Sequence, residues 1–79
     1  MRSRDKLPKP GDAVVLIGLS PGFLDDLPDE DKKAVSEIIG KPVRLNEYEE
    51  DGRAELEFKD GDGNLHFVYI TPNFVRPAQ

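Results

Sequence analysis

The sequence predicts a small, mainly β domain: about five strands in a closed or nearly closed small barrel, with one helix at about 28–39 inserted between the first and second strands. Three observations point there. Between Pro42 and Ile70 the apolar residues fall on alternate positions, the period of a strand, and two turn signals break the run. Only residues 28–39 repeat their apolar side chains at helical spacing. With 79 residues the chain holds one domain with a small core, and a sheet of that size leaves exposed edges unless it closes on itself.

Residues 1–10 read as a flexible basic N-terminal tail, and 11–77 as the domain. The tail carries Arg2, Arg4, Lys6 and Lys9 against Asp5, and it ends in Leu7-Pro8-Lys9-Pro10, whose prolines resist helix and sheet alike. Gly11-Asp12 is a turn signal. The run Ala13-Val14-Val15-Leu16-Ile17 is short and rich in β-branched residues, as a buried strand should be, and it closes at Gly18. Ser20-Pro21-Gly22 reads as a loop, with Phe23 and Leu24 as anchors that dip into the core. Helix 28–39 has consistent signals at both ends. Pro28 suits a first turn, and Asp29, Glu30 and Asp31 sit at the positive end of the dipole. Ala34, Val35, Ile38 and Ile39 form its apolar stripe, Gly40 fits a left-handed cap, and Pro42 blocks continuation.

From Pro42 the period becomes two. Val43 and Leu45 alternate with Arg44 and Asn46. The next apolar residue is Tyr48, a slip of one position that predicts a bulge near Asn46. Glu49-Glu50-Asp51-Gly52 reads as a hairpin turn. In the next strand Ala54, Leu56 and Phe58 face one way and Arg53, Glu55, Glu57 and Lys59 the other, so one face is wet. After the turn Asp60-Gly61-Asp62-Gly63-Asn64 comes Leu65–Ile70, which is apolar on both faces: Leu65, Phe67 and Tyr69 on one, His66, Val68 and Ile70 on the other. Either helix 28–39 or a partner protein must cover the second face.

The tail Tyr69-Ile70-Thr71-Pro72-Asn73-Phe74-Val75 resembles the end of Src-homology-3 (SH3) domains. There an aromatic–aliphatic pair leads through a proline and a one-turn 3₁₀ helix into the last strand. The order of elements is similar to that of bacterial SH3-like barrels. The resemblance implies core roles for Ile70 and Val75, and it places Phe74 where the family has a ligand-contacting tyrosine. The chain has no tryptophan to pack against prolines, so the resemblance implies the barrel and not a Pro-rich-peptide groove.

Composition narrows the function classes. The net charge is −5, and cysteine is absent, which removes disulfides and thiolate chemistry. No apolar run approaches the ~20 residues of a membrane helix, and no secretory leader is evident, so a cytoplasmic location without membrane association is the expectation. An acidic folded part repels phosphate backbones, which argues against nucleic acid as the partner.

No catalytic, cofactor or metal residues are expected. Asp60, Asp62 and Asn64 have the first three spacings of a calcium loop, but Leu65 stands where glycine is needed and Thr71 where a bidentate glutamate is needed. His66, the single histidine, has no evident nucleophile or co-ligands and reads as a partly exposed packing residue. The acidic clusters, Asp25–Asp31 and Glu47–Asp51, read as solubility and helix-dipole features. A domain this small leaves little room for a pocket of ~300 Å³ or more, the size a small-molecule site needs. The expected function is a non-catalytic protein–protein interaction module or small accessory protein, a monomer or weak homodimer. Its candidate contact surface is Tyr48, Phe67, Tyr69 and Phe74, which the sequence also allows to pack beneath the helix. The alternatives are a nucleic-acid or ribosome-associated barrel using the basic arm, and a small subunit of an enzyme complex.

Overall fold

A computed structural model describes residues 7–78. Its elements are β1 (Ala13–Leu16), a 3₁₀ turn (Phe23–Asp26), α1 (Asp29–Ile38), β2 (Pro42–Tyr48), β3 (Ala54–Lys59), β4 (Leu65–Ile70), a second 3₁₀ turn (Pro72–Phe74) and β5 (Val75–Pro77). All five strands are antiparallel in one sheet, in the order β4-β3-β2-β1-β5. The expected closure does not occur: β4 and β5 are the two edges, and among the described residues no ladder joins them. With α1 packed against one side, the inner face has a cover without closing into a barrel.

The two hairpins share one geometry. The Glu49 amide donates to the Arg53 carbonyl and the Gly52 amide to Glu49; the Asp60 amide donates to Asn64 and the Gly63 amide to Asp60. Gly52 and Gly63 have φ of +91° and +86°, so each loop is a turn closed by a left-handed glycine bulge. The slip read near Asn46 is a register shift between Leu45 and Glu47 opposite β3. It lets Leu45 and Tyr48 both turn toward the core.

That core is one-sided. Val14, Leu16, Ala34, Val35, Leu45, Ala54, Leu56, Val68, Ile70 and Val75 are among its buried members. The run Ala13–Ile17 is therefore not buried on both faces: Val14 and Leu16 point inward, while Ile17 is 49 % exposed because none of the described residues covers the outer face there. Helix α1 contributes Ala34, Val35 and Ile38, whereas Ile39 lies beyond its end and is exposed. The Gly40 φ is +86°, as a cap requires, and its amide donates to the Leu16 carbonyl, tying the helix end to β1.

The tail boundary moves. Residues 7–10 belong to the fold, and 1–6 lie outside the described residues. Lys9-Pro10-Gly11-Asp12 forms a turn with Gly11 at φ +96°; the Asp12 amide donates to the Lys9 carbonyl, and the Lys9 amide donates to the Asp12 carboxylate. Pro8 is buried, and its carbonyl accepts the Tyr48 hydroxyl at 2.7 Å. Burial, with Asp12 nearby, raises the Tyr48 pKa and keeps the hydroxyl protonated as a donor. Tyr48→Phe is expected to cost about 1 kcal/mol, a drop of several degrees in thermal midpoint. An unchanged midpoint would show that the contact holds nothing.

Candidate functional site

The structure separates the two faces of β4. His66, Val68 and Ile70 point inward, toward α1 and the core; Leu65, Phe67 and Tyr69 point outward and are 48, 48 and 38 % exposed. The four aromatic candidates therefore do not form one platform. Phe67 and Tyr69 share the outer face, and neither lies under the helix. Tyr48 and Phe74 are half-buried and pack against the core. Phe74 lies close to Gly18, where an added Cβ would meet the ring at 3.3 Å, and its carbonyl accepts the Ile17 amide. The reason is alternation: Tyr48 follows the bulge onto the inner face, whereas Phe67 and Tyr69 have the opposite parity to Val68 and Ile70.

Around the outer row lies charge. Phe67 faces Glu57 across the ladder, and Tyr69 faces Glu55, to which its hydroxyl donates at 3.1 Å. That hydrogen bond and the Glu55 charge raise the Tyr69 pKa. The Arg53 guanidinium lies 5.5 Å from the Tyr69 ring centre and pairs with Asp51 at 2.7 Å. Carboxylate oxygens of Glu47, Glu49 and Glu55 lie within 4.8 Å of one another. Partial burial and this neighbouring negative charge raise the Glu49 pKa. Three carboxylates on a solvated face do not by themselves make a metal site.

On the inner face, His66 is the partly exposed packing residue that the sequence suggests, and it also makes two polar contacts. Its side chain is only 10 % exposed, Nδ1 lies 2.8 Å from Asp31 of α1, and Nε2 lies 2.8 Å from Asp60 of the β3–β4 turn. The ring stacks on Phe58, with centroids 5.4 Å apart. Only the imidazolium can donate from both nitrogens at once. Its bond to Asp60 and then that to Asp31 raise the His66 pKa against the opposing effect of burial, while His66 and the Asn64 amide hold Asp60 down to about 2. The other Asp60 oxygen accepts the Asp62 and Asn64 amides at 2.9 Å each. The calcium-like spacing is thus a turn whose first carboxylate is already fully engaged.

A groove of about 660 Å³ opens between α1 and the ends of β2 and β3, larger than the chain length suggested. Core residues Ala34, Ile38 and Phe58 line it with Glu37, Lys41 and Lys59, and no hydroxyl, thiol or imidazole is among its lining side chains. Among the described residues, no helix is long and apolar enough to cross a membrane. No protein-family model, curated protein or solved structure matches this chain.

Proposed function

We propose that the chain is a non-catalytic interaction module that docks another protein through the outer face of β4. The observation that carries this reading is the row Leu65, Phe67 and Tyr69: three large apolar side chains, exposed side by side on an edge strand. Scattered exposed apolar residues are ordinary, but a contiguous row beside unpaired backbone marks a contact surface. Glu55 and Glu57 flank the row, so a phosphate backbone does not fit it. The groove's lining offers no hydroxyl, thiol or imidazole, and Asp60 at its margin is engaged by His66 and two amides, which favours the non-catalytic reading.

The scaffold fits an open relative of the SH3-like barrels. Support comes from β1 lying between β2 and β5 and from the 3₁₀ turn between β4 and β5. The double variant Phe67→Ser with Tyr69→Ala is expected to keep its thermal midpoint within a few degrees. It should also abolish the crosslinks that a photoreactive residue at Leu65 forms with proteins in the native chain. Unfolding of the double variant, or an absence of crosslinks in the native chain, would sink the reading.

A further inference from the structure

Backbone parity determines what the edge of β4 offers. Asp60 and Asn64 form a hydrogen-bonded pair closing the β3–β4 hairpin, and the register runs on without a shift from Lys59↔Leu65 to Ala54↔Ile70. Hydrogen-bonded and non-bonded pairs alternate along an antiparallel ladder. The main-chain groups of His66, Val68 and Ile70 therefore point to β3. Those of Leu65, Phe67 and Tyr69 point to the open edge, and among the described residues no hydrogen bond is found for them outside the ladder. The residues that expose apolar side chains are thus the ones that expose unmet backbone donors and acceptors.

The opposite edge is closed. By the same alternation, the main-chain groups of Val75 and Pro77 in β5 point to the outer edge. The Val75 amide donates to Pro72, its carbonyl accepts the Arg76 guanidinium at 3.0 Å, and Pro77 has no N–H. β5 is also only three residues long. Short edges, proline and charge are the devices that keep sheets from joining. β5 has them, and within the six residues of β4 there is neither proline, lysine nor bulge.

We propose that β4 pairs antiparallel with β4 of a second copy about a two-fold axis at Phe67, joining the two sheets into one. This rests on the reading of β4 as the contact strand and names its occupant. The strand fits itself in this register. Phe67 meets Phe67 of the second copy, and Leu65 meets Tyr69. Every residue in these pairs has its backbone groups aimed across the new ladder, so the three pairs can be hydrogen-bonded ones. A shift by one residue would put outward side chains opposite inward ones and lose the match. Glu55 and Glu57 do not oppose it: the two β3 strands end three strand spacings apart, roughly 14 Å, beyond the Debye length of about 8 Å at physiological salt. Because β5 is capped, pairing stops at two copies and does not run into a filament.

Sedimentation of the full chain from micromolar to near-millimolar concentration tests this. The expected result is concentration-dependent conversion from the 8.8 kDa chain to a species of twice that mass. In the paired form the amides of Leu65, Phe67 and Tyr69 gain hydrogen-exchange protection that dilution removes. Phe67→Lys, which puts two like charges at the axis, is expected to weaken the pairing at least tenfold while leaving the circular dichroism spectrum unchanged. A single-chain mass at every concentration overturns the proposal, as does a dimer that leaves those three amides unprotected. Either result leaves the broader interaction reading to its crosslinking test, which also detects partners other than this chain.

Discussion

Leu45→Ala is expected to destabilise the fold by about 2–5 kcal/mol, whereas Ile17→Ala is expected to cost less than about 1 kcal/mol. Both substitutions shorten a large aliphatic residue beside a strand, and they differ in which face the residue serves. Leu45 is fully buried on the central strand β2, directly opposite the equally buried Leu56. Its amide donates to the Asp12 carbonyl and its carbonyl accepts the Gly11 amide, so its backbone also fixes the entry to β1. The alanine variant keeps those backbone bonds and loses the packing against Leu56. A domain of this size has a total stability on the order of 4–12 kcal/mol, so the variant loses a large part of it. Ile17 is half exposed and leaves no cavity. Urea unfolding of the two variants decides the matter: equal losses would mean that the core is not confined to one face of the sheet.

Local chemistry made most of the fold legible. The helix needed only its acidic start, its apolar stripe and Gly40. The hairpins needed the period of two and glycines at Gly52 and Gly63, and the bulge showed as the slip between Leu45 and Tyr48. What stayed hidden depended on distant residues. The run Ala13–Ile17 and strand Leu65–Ile70 are apolar throughout, so periodicity could not say which parity faces inward or that the outer face stays bare. Pro8 looked like part of a tail because its anchor, the Tyr48 hydroxyl, lies 40 residues away. The partners of His66 were invisible for the same reason. Asp31 is 35 residues distant and looked like one of five dipole-facing acids, and Asp60 looked like a turn residue, which it also is. The openness of the sheet followed from β5, which is only three residues long, pairs with β1 and has Pro77 on its outer edge, so among the described residues no ladder joins it to β4.

His66→Ala is expected to cost about 2 kcal/mol in mildly acidic solution and distinctly less in alkaline solution. A hydrogen bond to a charged group contributes about 1.5–3 kcal/mol. His66 makes two, and the partial exposure of Asp31 and Asp60, 34 and 17 %, brings their sum down toward the value of one. The pH dependence follows from where the proton is held. The folded chain raises the His66 pKa above its ordinary 6.5, so this contribution is fully present below about pH 6.5 and fades as pH rises through the raised folded value. Asp60 runs the other way: held down to about 2 from 3.8, it contributes above 3.8 and loses that contribution as pH falls through about 2. The clamp between α1 and the β3–β4 turn is therefore strongest between about pH 4 and about pH 6.5. Urea midpoints of the native chain and His66→Ala, compared at about pH 5.5 and about pH 9, should differ most at the lower pH. A gap that stays constant would mean that His66 is neutral and acts only through its stacking on Phe58. A histidine titration followed by NMR separates the two cases directly, because a clamped imidazolium releases its proton above 6.5 and a merely buried ring releases it below.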